Sequence, residues 1–96
     1  MIKSADLVRS LNRNYLINIH LVGSDFYFNT DKYELVISDS LEKEGFVDVA
    51  LWDINAGRFV VCCSVDNFID AYKRLSGFLE TVKPRQLNIF GGFDVL

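Results

Sequence analysis

The sequence predicts an α+β fold, an antiparallel sheet of four to five strands with two helices packed on one face. Three observations predict it. Apolar residues recur at helical spacing near both ends of the chain, they alternate with polar residues at period two between those ends, and turn-forming residues cut the middle into pieces of strand length. The order is α-β-β-β-β-α, with a short C-terminal strand possible over residues 86–90. The chain has 96 residues, of which 50% are hydrophobic, which suits one core and not two, so a single domain over 1–96 is expected.

Ser4 is placed to cap a first helix over residues 5–13, with Asp6 facing the positive end of the helix. Leu7, Val8 and Leu11 share one side, Arg9, Asn12 and Arg13 the other, and Asn12-Arg13-Asn14 closes the element. From Tyr15 the period becomes two: Tyr15, Ile17, Ile19 and Leu21 share one face, Leu16, Asn18, His20 and Val22 the other, which predicts a strand. Gly23-Ser24-Asp25 and Asn29-Thr30-Asp31 are turn signals on either side of strand-like Phe26-Tyr27-Phe28, and a further strand follows over 33–38.

After a polar connection over 39–45, strands 46–52 and 58–64 form a hairpin around Asp53-Ile54-Asn55-Ala56-Gly57, with Gly57 supplying a positive φ. Ser64 is the expected cap of the second helix, with Cys63 and Phe68 as a hydrophobic staple and Asp66 in the first turn. Phe68, Ile69, Tyr72, Leu75, Leu79 and Val82 recur at helical spacing until Pro84 stops the helix after Lys83. There is no internal repeat, linker or low-complexity stretch.

The net charge is −3, but it is unevenly spread. Residues 22–57 hold Asp25, Asp31, Glu34, Asp39, Glu42, Glu44, Asp48 and Asp53 against only Lys32 and Lys43. Phosphate binding relies on Lys and Arg, so direct nucleic-acid binding is not expected of this middle third, which suits a protein partner with a basic surface. Arg9, Arg13, Lys73, Arg74, Lys83 and Arg85 would form a basic patch only if the two helices lie side by side; dispersed on an acidic chain, they read as helix solvation. No apolar run approaches the roughly 18 residues of a membrane span, and the N-terminus carries no export pattern, so no membrane association and a cytoplasmic location are expected.

No glycine-rich phosphate loop, nucleophile elbow, paired histidine or Cys-x-x-Cys is present, so no catalytic residue, cofactor or metal site is expected. His20 is the only histidine, the side chain suited to proton transfer near neutrality, but no motif surrounds it. One His with two adjacent cysteines is not a zinc pattern, and Asp25, Asn29 and Asp31 miss calcium-loop spacing. Cys62 and Cys63 read as free thiols whose side chains leave a strand on opposite faces, one toward the core and one outward.

Period two fixes which residues share a face of strand 46–52, not which face is inside. If Val47, Val49 and Leu51 meet the helices, then Phe46, Asp48, Ala50 and Trp52 face away, exposing aromatics among acids, the composition of an interface. The leading expectation is a non-enzymatic protein-binding module, an adaptor or small inhibitor, with Glu34, Phe46, Asp48, Trp52 and Asp53 as partner-binding residues. Its concrete version is a mobile-element-type inhibitor of a basic nucleic-acid-handling complex. The alternatives are a homo-oligomeric structural protein using the open face or an unpaired edge, and a small-ligand binder or enzyme using His20 or a free cysteine.

Overall fold

A computed structural model describes residues 1–83; the stop at Pro84, the possible strand over 86–90, Arg85 and the terminal glycines lie outside the described residues. The elements are α1 (Ser4–Tyr15), β1 (His20–Val22), β2 (Asp25–Asn29), β3 (Tyr33–Asp39), β4 (Val47–Asp53), β5 (Arg58–Val65), α2 (Phe68–Arg74) and α3 (Ser76–Val82). The five strands form one sheet in the order β1-β2-β3-β4-β5, every neighbour antiparallel. The expected α+β architecture is present, with three helices rather than two.

Alternation decides which side of the sheet is covered. Leu35 and Ile37 of β3, Val47, Val49 and Leu51 of β4, and Val65 of β5 are buried, and they stand in register: Ile37 opposes Val49, Leu35 opposes Leu51, and Val47 opposes Val65. The other half of the core comes from Leu7, Val8 and Leu11 of α1 and Ala71, Leu75, Phe78 and Leu79 of the C-terminal helical pair. Phe78 meets the edges of Phe28 and Tyr33, with ring centroids 6.3 and 5.8 Å away, locking α3 onto the β2–β3 end of the sheet. At roughly 1.5 to 3 kcal/mol for each fully buried aliphatic or aromatic side chain, this single layer carries the hydrophobic stabilisation of the fold.

The start of α1 is capped across the fold rather than by Ser4. Ser4 is the first helical residue, Lys3 occupies the cap position without a side-chain bond, and the Ser4 N–H donates to Asp39 Oδ1 at 2.7 Å. Asp39 ends β3, so one carboxylate satisfies an otherwise unpaired helix N–H and ties α1 to the sheet.

The strand expected from Tyr15 onward is shorter than predicted. Tyr15 still belongs to α1, Leu16 ends that helix in the left-handed conformation (φ 55), and the hydrogen-bonded strand begins only at His20. The side chain of Asn12 explains this. Its Oδ1 accepts the Ile19 N–H at 2.7 Å and its Nδ2 donates to the Ile19 carbonyl at 3.0 Å, so α1 itself takes the place of a neighbouring strand and pulls Ile19 into the core.

The second expected helix starts later and is broken. Val65 pairs with Val47 and extends β5, which places Ser64 in a strand and moves the cap to Asn67, whose Oδ1 accepts the Asp70 N–H at 2.8 Å. A break at Leu75 separates α2 from α3, next to Ser76-Gly77, where helix propensity is low. The buried stripe is Ala71, Leu75, Phe78 and Leu79, while Ile69, expected on it, is 70% exposed. The hairpin loop is as expected, with Gly57 at φ 67.

Leu16 is 78% exposed, so its side chain gains nothing for its unfavourable backbone. Left-handed backbone costs a non-glycine residue about 1–2 kcal/mol, against roughly 0.4–1 kcal/mol of extra unfolded-state entropy for glycine. Leu16→Gly is therefore expected to raise stability by about 0.5–1 kcal/mol, read as a higher urea midpoint with unchanged slope.

Candidate functional site

Burial of Val47, Val49 and Leu51 turns the intervening residues of the sheet away from the helices. Strand pairing arranges that face in rows. His20, Tyr27, Val36, Ala50 and Cys62 form one row across all five strands; Asn29, Glu34, Trp52 and Phe59 form a second, and Ser38, Asp48 and Ser64 a third. No described element covers these rows; Val36, Ala50 and Trp52 are half-buried only by their neighbours, while Cys62 and Phe59 are exposed.

The small side chain of Ala50 leaves a shallow depression of about 340 Å³ in the middle of the face, bounded by Val36, Ser38, Asp48, Cys62 and Ser64. Beside it Trp52 and Phe59 pack edge to face, centroids 4.8 Å apart and planes at 78°, forming an apolar wall. Asp48 accepts a hydrogen bond from Ser64 Oγ, which fixes the carboxylate at the other rim. The charged strand residues of this face are Asp25, Glu34 and Asp48; Arg58, the one Lys or Arg among the described strand residues, stands opposite Asp53, which alternates to the helix side. The described strand residues of the face therefore carry one sign of charge, and its aromatic wall and its carboxylates are within one strand length of each other.

Of the residues singled out from sequence, Glu34, Asp48 and Trp52 come together here; Glu34 is the direct cross-strand neighbour of Trp52. Phe46 precedes β4, six residues or about 20 Å of extended chain from Trp52. It lines a separate depression with Met1, Ile2 and Lys3, and Lys43 Nζ is 5.4 Å from its ring centroid. Asp53 alternates to the helix side, where its Oδ1 accepts the Ala56 N–H at 2.9 Å and its carbonyl accepts the Gly57 N–H at 2.8 Å; it closes the hairpin loop. Phe59, Val36 and Tyr27 were not singled out. Extending the alternation through the strand pairing would have found Val36 and Tyr27, but a β-bulge between Leu51 and Trp52 shifts the register that leads to Phe59.

The two thiols separate as expected: Cys62 is exposed on the open face and Cys63 packs partly against the core. His20 is exposed, with Nδ1 3.4 Å from the Asn18 carbonyl, and lines a second depression of about 570 Å³ with Val22, Tyr27 and Asn29 but no carboxylate or thiol. Among the described residues no group of three or more His, Cys, Asp or Glu could hold a metal ion. Helices α1 and α2 do lie side by side, joined through the Tyr72 hydroxyl, which is 2.6 Å from Ser10 Oγ and accepts from Asn14 Nδ2 at 2.9 Å. The cations there are interleaved with acids: Arg9 pairs with Asp6 at 2.9 Å, and Lys73 and Arg74 share their helix with Asp70.

Fold and site together define a class, a one-sided antiparallel α+β domain with an open, acidic and aromatic sheet face. No family model, curated protein or solved structure matches the chain. No helix among the described residues is long and apolar enough to cross a membrane.

The geometry separates the thiols kinetically. A native-state titration with an aromatic disulfide reagent is expected to show one fast thiol and one slow thiol, the fast phase disappearing in Cys62→Ser and persisting in Cys63→Ser.

Proposed function

We propose that this protein is a non-enzymatic protein-binding module, an adaptor or small inhibitor, whose open sheet face receives a basic surface of another protein. The observation that carries the reading is the row of Glu34, Trp52 and Phe59, with Asp48 two rows away across the Ala50 row, on a face whose charged strand residues are all carboxylates. Trp52 and Phe59 supply the apolar anchor; Glu34 and Asp48 flank it and select cationic side chains, and the depression over Ala50 accepts an aliphatic or guanidinium stem between them. Carboxylates arranged this way speed encounter with a basic partner and suppress acidic ones. An inhibitor of a basic nucleic-acid-handling complex, of the kind mobile elements carry, is the version that the charge best suits, because such complexes present Lys and Arg to phosphate.

Affinity capture from native-host lysate, followed by affinity measurements on the captured partner, tests this. Glu34→Lys with Asp48→Lys is expected to weaken binding and flatten its salt dependence, and Trp52→Ala to cost about 2 kcal/mol, or roughly 30-fold in Kd. A partner held equally well by both variants, with no response to salt, would contradict the reading.

A further inference from the structure

Two rings set at a steep angle make a corner rather than a flat surface. Trp52 of β4 and Phe59 of β5 are cross-strand partners whose centroids are 4.8 Å apart and whose planes meet at 78°. The edge of one ring touches the face of the other, so both keep π surface beside their contact. Phe59 is 54% exposed and Trp52 is half-buried, so this corner opens to solvent. Among the described residues, cations of the chain sit over Tyr33 and Phe46 and not over this pair.

A carboxylate flanks the corner. Glu34 of β3 is the direct partner of Trp52 on its other side, and such partners have Cβ atoms about 4.5–5.5 Å apart, which puts the acid next to the indole. The ion pair among the described residues is Arg9 with Asp6, so Glu34 has its charge available to an incoming cation. Ala50, two positions before Trp52 on the same face, has only a methyl group and leaves the approach along β4 open.

We propose that Trp52, Phe59 and Glu34 form a site for the guanidinium group of an arginine side chain. The inference rests on the reading of this face as a receiver of basic surfaces and names the side chain that it selects. Aromatic faces attract cations through their quadrupoles, and guanidinium, being planar and weakly hydrated, stacks on an indole while its in-plane N–H groups reach a carboxylate. Both contacts are made at once, and the carboxylate bond is charge-assisted. The ammonium of lysine is a strongly hydrated point charge that gains less from a ring, and a trimethylammonium has no N–H for Glu34. Asp48 is four residues or about 13 Å along β4 from Trp52, too far to hold the same head group, so it adds attraction without choosing between cations.

The test compares tetra-arginine, tetra-lysine and tetra(trimethyllysine) amides, equal in charge, titrated into the full chain at physiological ionic strength. The indole N–H resonance of Trp52, the sole tryptophan, is the readout. Tetra-arginine is expected to move that resonance and to bind roughly threefold to tenfold more tightly than either lysine peptide. Glu34→Gln is expected to weaken tetra-arginine roughly fivefold and to narrow its lead over tetra-lysine, and Phe59→Leu, which keeps the apolar bulk and removes a π face, to weaken it about threefold. Equal binding of arginine and lysine peptides that leaves the indole unmoved and is lost in Asp48→Lys overturns the arginine site while leaving the basic-partner reading of the face intact. Tighter binding of the trimethylated peptide, or an arginine preference indifferent to Glu34 and Phe59, also overturns it. Resonances unmoved by any of the three peptides overturn the site and count against the basic-partner reading as well.

Discussion

The covering of one face of the β3–β4–β5 ladder, and of that face alone, is the constraint from which the other features of this structure follow. Val47, Val49 and Leu51 take the helix side together with Leu35, Ile37 and Val65, and α1, α2 and α3 close over them. Because side chains on a strand alternate strictly, a shift of one residue would place Asp48 and Trp52 under the helices and the valines in water. Burying the Asp48 carboxylate there with only the Ser64 hydroxyl as partner would be far costlier than leaving it outside. The observed register is therefore fixed twice, by what it buries and by what it leaves out.

Polar side chains then fix the edges of this layer. Asp39, at the end of β3, holds the first turn of α1, and Asn12 in α1 holds the backbone of Ile19 as a neighbouring strand would. Both join a helix to the sheet side of the molecule through a side chain bonded to backbone, so α1 has little freedom to slide and its Leu7-Val8-Leu11 stripe stays over β3. The functional consequence is that all three helices are committed to one side. What remains on the other is a face of Tyr27, Val36, Ala50, Trp52, Phe59 and Cys62 edged with carboxylates. Apolar content with carboxylates as the only charged strand residues of that face is the feature on which the proposed preference for a basic partner rests.

Much of this was legible in the residues because it depends on local chemistry. The hairpin follows from Gly57 and its flanking apolar strands, the split of Cys62 from Cys63 follows from strand alternation, and the cluster of Glu34, Asp48 and Trp52 follows once the valine face is inside. The features that were not legible depend on tertiary competition. Ser4 and Ser64 are good caps by type, yet Asp39 reaches α1 from 35 positions away and Val65 is drawn into the sheet by Val47, leaving the cap to Asn67. Tyr15, Ile17 and Ile19 alternate like a strand, but the alternation serves packing without a ladder, since Asn12 takes the hydrogen bonds of Ile19. Asp53 looked like part of the acidic face by composition; its parity puts it on the other side, engaged with its own loop.

The central claim is that the face bearing Trp52 stands uncovered, and Trp52 is the sole tryptophan of the chain, so its fluorescence reports on that face alone. The most direct measurement is acrylamide quenching of the dilute native protein, compared with the urea-unfolded chain. The expected result is quenching of the half-buried native indole at a substantial fraction of the unfolded value, with loss of that quenching on partner binding. A blue-shifted native emission that acrylamide does not reach would mean that the face is covered, and would contradict the account.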